Sequence, residues 1–334
     1  MYKVSVIMPC YNVENTIDRA MVSLVTQDIG FQNIEVFIPC DLSSDKTVKK
    51  ALEWKHKFPD NIRVSISMSR QMQGALRNRV INDCQGEYIA FLDGDDWLEK
   101  DTLRKAYTCG NKFNADIVNF QFVQVKSTKY NRPQRTKDDL FKFILTPEER
   151  SEFFMKSNLL RCCWDKLYRT DFVKEHELRF SEGKFEEESL FTTPAYMYAE
   201  RIYMLNECLY CYYQNPEGST SSMKYSRVHS RDNERVWLET YERVVQDGSL
   251  KSDSKFFEWL FIVNYFFYSI MLAKNRGVEH TEEEKDNLAR TVKKLFPNYL
   301  DNELLQRTTF DLNEITTRLS TDLTGEEKDL VQGY

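Results

Sequence analysis

The apolar run Tyr88-Ile89-Ala90-Phe91-Leu92 leads directly into Asp93-Gly94-Asp95-Asp96, and this is where the chain concentrates its chemistry. A buried strand that ends in carboxylates delivers them to a sheet edge, where oxygen ligands suit a hard divalent cation. Acids gathered there are costly to bury without such a partner. Gly94 lets the backbone bend so that Asp93 and Asp95, two positions apart, face one ligand. The same turn also reads as a solvated loop, or as a cap supplied by Asp95 or Asp96 to a helix over residues 98–108.

Positioning those carboxylates is the task of the surrounding elements. Strands at 4–8, 34–38, 64–67 and 88–92 alternate with helices at 14–27, 46–58 and 74–84. Ile17, Ala20, Met21, Leu24 and Val25 fall at helical spacing in the first of these helices. Repeated strand-helix units predict a mainly parallel, Rossmann-like sheet with helices on both faces. Ligands bind such sheets beyond the carboxyl ends of the strands, where Asn12, Asp41 and Asp93 all fall. Beyond residue 105 the pattern loosens. It gives a strand at 115–125, a polar loop with several Lys and Arg at 126–137, a helix at 145–160, a short aromatic-basic segment at 164–169, a helix from 191 and a tyrosine-rich strand at 202–213. From about residue 225 onward everything reads as helix, over 232–245, 254–274, 281–295 and 314–319. The turn-rich stretch Pro216-Glu217-Gly218-Ser219-Thr220-Ser221-Ser222 marks the border, so the expected parts are 1–105, 106–222 and an α-helical domain at 223–334.

The chain has 334 residues, enough for a sizeable core. A formal net charge of −6 argues against nucleic acid, whose phosphates demand an excess of Lys and Arg. The sequence begins Met1-Tyr2-Lys3 and runs straight into a strand without an export signal, which predicts a cytoplasmic protein. Eight dispersed cysteines do not suggest a disulfide scaffold, and Cys208 and Cys211 form a lone CxxC within strand-like sequence. Residues 256–273 approach the length needed to cross a bilayer, yet Glu258 and Asn264 interrupt them. A bundle core or a subunit interface accounts for that helix better than a membrane span, and predicts packing on the rest of the chain or a homo-oligomer through the C-terminal helices.

Four separated pieces together carry a resemblance. Val4-Ser5-Val6-Ile7-Met8-Pro9-Cys10-Tyr11-Asn12, Asp41 with Ser43-Ser44-Asp45, Arg77-Asn78, and Phe91-Leu92-Asp93-Gly94-Asp95-Asp96 resemble, in order and spacing, the nucleotide-sugar domain of family-2 glycosyltransferases with the GT-A fold. The resemblance covers residues 3–105 closely and continues more loosely to about 222. It implies a nucleotide-sugar half at 1–105, an acceptor half at 106–222, a UDP-sugar donor, and a glycan, teichoic-type polymer or glycoprotein acceptor at the inner face of a bacterial membrane. It implies that Pro9, Tyr11, Asn12 and Gly94 lie beside the nucleotide, that Asp41 accepts a hydrogen bond from uracil, and that Asp93 contacts the ribose or the metal. Asp95 would then ligate the Mg²⁺ or Mn²⁺ that neutralises the leaving diphosphate. Arg77 reads either as a fixed positive charge near the nucleotide or as a helix-surface ion pair.

Inverting transfer also needs a carboxylate base on the acceptor side. In Gly183-Lys184-Phe185-Glu186-Glu187-Glu188-Ser189-Leu190-Phe191 the family's catalytic Asp aligns with Glu188, one methylene longer, with Glu187 as the fallback; an acidic helix start is the plainer reading. Trp164 and Lys166 resemble the Trp-x-Lys segment upstream of that base, with contacts to sugar, acceptor or phosphate implied, although a core Trp beside a snorkelling Lys is equally common. Residues 219–222 resemble a segment that closes over the donor, and Lys224, Arg227 or His229 would touch the diphosphate. The usual Val-Asp-Asp-Gly-Ser run appears here as Pro39-Cys40-Asp41-Leu42-Ser43, and Pro39 predicts an unpaired strand end. The alternative to an active enzyme is a non-catalytic nucleotide-sugar-binding subunit of a glycan-synthesis complex.

Overall fold

A computed structural model describes residues 2–135, 137–144, 146–157, 161–216, 226–248, 250–275 and 277–320. Among these residues, nine strands form one sheet: β1 (Val4–Ile7), β2 (Ile34–Cys40), β3 (Ile62–Ile66), β4 (Tyr88–Phe91), β5 (Trp97–Leu98), β6 (Ile117–Val125), β7 (Leu140–Phe143), β8 (Lys166–Arg169) and β9 (Arg201–Tyr213). Their order is β3-β2-β1-β4-β8-β6-β9-β5, with β7 also paired to β9. The helices are α1 (Ile17–Val25), α2 (Thr47–Lys57), α3 (Met72–Ile81), α4 (Thr102–Phe113), α5 (Pro147–Ser157), α6 (Thr170–Glu175), α7 (Ser189–Tyr198), α8 (Ser226–Gln246), α9 (Leu250–Ile262), α10 (Ser269–Asn275), α11 (Glu282–Leu295), α12 (Glu303–Gln306) and α13 (Asn313–Ser320).

The parallel expectation holds for the first half, where β1 pairs in parallel with both β2 and β4, and β2 with β3. Every residue of β1, β2 and β4 is buried, which is why these strands read as unbroken apolar runs. The second half is mixed. The segment read as short and aromatic-basic supplies β8, which runs antiparallel between β4 and β6 in the middle of the sheet. Pro39 does not end β2: the strand continues to Cys40 and stays in register with β3. The missing N–H matters little, because the Pro39 carbonyl still accepts from Cys10 and the Cys10 thiol turns to the Met8 carbonyl. The helix expected from residue 98 starts instead at Thr102 with Asp101 at its N-cap, so neither Asp95 nor Asp96 caps it.

The helices beyond residue 225 are not a separate globule. One apolar cluster runs from Val4 and Phe91 through Phe191 to Trp237, Phe261 and Leu288. Residues 253–275 are long and apolar enough to cross a bilayer by length and composition, and 61% of the most apolar stretch is buried inside the fold. A π-helical turn, Val263–Tyr268, joins α9 to α10, and the Asn264 carbonyl there accepts from Asn233 of α8 at 3.1 Å.

Candidate active site

The carboxyl ends of β1, β2 and β4 lie side by side at one edge of the sheet. Gly94 sits so close to the end of β1 that an added Cβ would lie 3.1 Å from Cys10 Sγ and 3.4 Å from the Pro9 carbonyl oxygen. Asn12 takes a left-handed conformation, φ 49°, which Asn tolerates better than most residues. Its backbone N–H donates to Ser43 Oγ at 3.2 Å, and its side-chain oxygen accepts the Ser44 N–H at 2.9 Å, so the loops after β1 and β2 are tied together.

Asp41 is fully buried. Its Oδ1 accepts N–H groups from Leu42 (3.0 Å) and Gln71 (2.8 Å), and its Oδ2 accepts that of Met72 (3.0 Å). Arg70 completes the set, with Nη1 3.3 Å from Oδ2 and its guanidinium 3.3 Å over the Tyr11 ring. Nothing in the spacing of the sequence singled out Arg70, because it lies in the connection between β3 and α3 rather than in a motif.

In the acidic turn the three aspartates have different environments. Asp93 Oδ1 receives Arg77 Nη2 at 2.8 Å. Asp95 Oδ2 accepts from Asn215 at 3.1 Å, and burial together with the charge of Asp93 pushes its carboxyl up to about 6. Asp96 is buried and accepts the Tyr210 hydroxyl (2.6 Å) and the Tyr213 N–H (2.7 Å), which fastens β9 to the turn. Arg19 braces the same turn: it donates to the Asp95 carbonyl at 2.6 Å and lies over the rings of both Trp97 and Tyr213. Among the described residues no group of three or more His, Cys, Asp or Glu could hold a metal without help. Two carboxylates, Asp93 and Asp95, still fit Mg²⁺ or Mn²⁺, since such ions are commonly held by one or two acids with phosphates and water completing the shell. The raised Asp95 carboxyl marks the negative charge that a cation would offset.

Arg77 links this turn to the second acidic run. It is 1% exposed, so it is no helix-surface residue. From α3 it reaches Asp93 on one side and, at 2.6 Å from Nη1, Glu187 Oε1 on the other, while Gln73 accepts from Nη2 at 3.0 Å. Gly74, one turn earlier, lets α3 approach the acidic loop, because a Cβ there would lie 2.0 Å from the Ser181 carbonyl oxygen. Burial pushes the Glu187 carboxyl up to about 7, against the pull of Arg77. Glu188 is likewise raised by burial, and its Oε1 accepts the Cys163 N–H at 2.9 Å. Glu188 stands at the N-cap of α7, as an acidic helix start requires, yet its side chain makes no capping bond and turns to Cys163 instead.

The remaining expected contacts fall elsewhere. Trp164 is 9% exposed and stacks on Tyr210 (4.4 Å between centroids) and Tyr212 (5.7 Å), a wall behind the acidic turn. Lys166 is corrected to a core residue: it is completely buried, bound to Asp165 and to the Cys162 carbonyl, and cannot reach an acceptor. His229 does not face a diphosphate but is buried against Glu186 and Phe185. Arg227 lies on α8 near Glu284, 3.7 Å away. Lys224 and residues 219–222 lie outside the described residues.

A parallel first half, a mixed second half and carboxylates where the two meet define a GT-A type fold. Residues 5–176 match the profile of glycosyl transferase family 2, and the chain belongs to that family. Glycosyltransferase GlyA of Streptococcus pneumoniae is 27% identical over 74% of this chain, and the poly(ribitol-phosphate) beta-N-acetylglucosaminyltransferase TarS of Staphylococcus aureus 29% identical over 67%. The chain spans 33% and 38% of the lengths of those two relatives. The uncharacterized glycosyltransferase EpsJ of Bacillus subtilis is 31% identical, over 65% of this chain and 62% of its own length. Among solved structures, residues 1–349 of S. aureus TarS in complex with UDP-GlcNAc superimpose over 91% of this chain and 90% of that one, with a TM-score of 0.57 at 22% identity. A mannosyltransferase from Pyrobaculum calidifontis, in complex with GDP-Man and Mn²⁺, covers 98% of this chain and 89% of its own, with a TM-score of 0.55 at 14% identity. At such identities the likeness is one of fold.

Proposed function

We propose that the chain is an inverting, metal-dependent glycosyltransferase that moves a sugar from a UDP donor to a hydroxyl of a bacterial surface glycan, a teichoic-type polymer in particular, at the cytoplasmic face of the membrane. The observation that carries this reading is the bridge Asp93–Arg77–Glu187, with bonds of 2.8 and 2.6 Å. A single guanidinium spans the turn suited to a diphosphate and the acidic pair suited to deprotonating an acceptor, so the two halves of a displacement are walls of one cleft. The relative that acts on poly(ribitol phosphate) supports the choice of acceptor class.

In this reading Asp93 and Asp95 would hold a divalent cation, which when bound would supply Lewis-acid neutralisation of the diphosphate. Pro9 and Tyr11 flank the uracil with Arg70. For Asp41 to accept from uracil, Arg70 must release Oδ2, and its 3.3 Å contact is the longest of the four that Asp41 makes. Glu188 removes the proton of the attacking hydroxyl on the face opposite the leaving group, and its raised carboxyl makes it a stronger base once ionised. Glu187 stays with Arg77 and keeps the pair negative.

The test is UDP release from a panel of UDP-sugars with Mn²⁺ or Mg²⁺, with a poly(ribitol phosphate) or glycan acceptor and an EDTA control. Glu188→Gln should lower turnover by about 100-fold or more while UDP binding by calorimetry stays near that of the wild type. UDP binding without release from any donor and acceptor pair would instead establish the non-catalytic subunit.

A further inference from the structure

One face of α8 holds the acidic loop from behind. His229, Asp232 and Asn233 stand at positions i, i+3 and i+4, the spacing that brings side chains onto one side of a helix. His229 Nδ1 lies 3.0 Å from Glu186 Oε1, and its ring stacks on Phe185 with centroids 4.0 Å apart. Asp232 Oδ2 accepts the Phe185 N–H at 3.0 Å. Asn233 Oδ1 accepts from Arg161 Nη1 at 3.1 Å, two residues before the Cys163 N–H that donates to Glu188. The segments on both sides of Glu188 are thus anchored to the same helical turn.

Glu186 has φ +59°, a conformation uncommon for a residue with a side chain and kept only where the surroundings over-determine it. The directions in which Glu187 and Glu188 leave the backbone follow from that turn. His229 is buried, and to meet a carboxylate its proton must sit on Nδ1.

We propose that His229 is a positioning residue for the base: its bond to Glu186 locks the left-handed turn that sends Glu187 to Arg77 and Glu188 to Cys163. This rests on the assignment of Glu188 as base. The ring has two separable contributions. Stacking on Phe185 is available to any aromatic residue, whereas the Nδ1–H is approximated by asparagine and absent from phenylalanine.

Two readouts on the full chain test the idea. In hydrogen exchange followed by mass spectrometry, peptides covering residues 181–190 should exchange about 10-fold faster in His229→Phe, with those covering 88–97 unchanged and His229→Asn close to wild type. In turnover, His229→Phe should lower kcat by about 10- to 100-fold, leave the donor KM within about 2-fold, and be rescued largely by His229→Asn. Unchanged exchange in the loop, or unchanged kcat in an active enzyme, overturns the proposal, as does faster exchange throughout the molecule. A loop that loosens in a protein whose wild type turns over no donor supports the clamp and overturns only the reading of Glu188 as base.

Discussion

Arg77 is the residue on which both acidic runs depend. A buried guanidinium between Asp93 and Glu187 satisfies two acids that would otherwise be left uncompensated, and removing one partner from such a group costs about 3–5 kcal/mol. Arg77→Met should therefore destabilise the protein by roughly that amount in urea unfolding, and Arg77→Lys should fail to restore activity because one ammonium cannot make both bonds in the plane of a fork. With Glu188 as the proposed base, the acidic pair should also set the pH response of turnover. Burial holds Glu187 up to about 7 and raises Glu188 above its ordinary value, so ionisation of the pair, which the proposed base requires, gives a rising limb displaced upward from that of ordinary carboxylates. Initial rates should climb along that limb, whose apparent pKa belongs to the pair rather than to either residue. Glu187→Gln removes a neighbouring negative charge and frees Arg77 to act on Glu188. Both effects favour the Glu188 carboxylate, so the limb should move to lower pH in the rate profile; a limb that stays or moves upward would exclude this coupling.

At the scale of elements, α3 and the acidic loop meet at a contact that only a glycine permits. Gly74→Ala must push the Ser181 carbonyl away, at a cost of about 1–3 kcal/mol typical of overpacking. It should lower thermal stability and, by shifting Arg77 away from Glu187, lower kcat more than it changes UDP binding in calorimetry. How much of this arrangement the sequence revealed depends on how each element is stabilised. The strands β1, β2 and β4 are legible because fully buried parallel strands are continuous apolar runs, and Asp41 and Asp93 at their ends stand out against them. The segment containing β8 does not announce itself as a strand: four residues are too few to show a period, and Lys166 within it resembles a surface residue, although it is buried against Asp165. Asp96 reads as a cap and acts as a tie to β9, because the partner strand lies more than a hundred residues away. The face of α8 was hidden for the same reason. His229, Asp232 and Asn233 have helical spacing, but their partners Glu186, Phe185 and Arg161 lie 43, 47 and 72 residues earlier, where the sequence does not place them against the helix.

For the molecule as a whole, a border in composition near residues 216–230 is not a border in packing. Phe154 of α5 meets Phe256 of α9 with centroids 5.2 Å apart, and the Arg150 guanidinium on α5 pairs with Asp253 at 2.8 Å. Both contacts join the second half of the sheet region to the apolar helices, and the α8 contacts to the acidic loop add a third connection. The C-terminal helices therefore complete the core of the sheet region, and each covers apolar surface that the other would expose to water. A chain ending at residue 216 loses α8 through α13, so Phe154 loses the ring of Phe256 and Arg150 loses Asp253. It should self-associate or precipitate in light scattering, whereas the full chain should give one size that does not change with concentration and unfold in a single cooperative transition. A truncated chain that stays monomeric, binds UDP as the full chain does and unfolds cooperatively would show that the sheet region folds alone. The helices would then be an attached module, and the anchoring of the acidic loop by α8 would be dispensable for the fold.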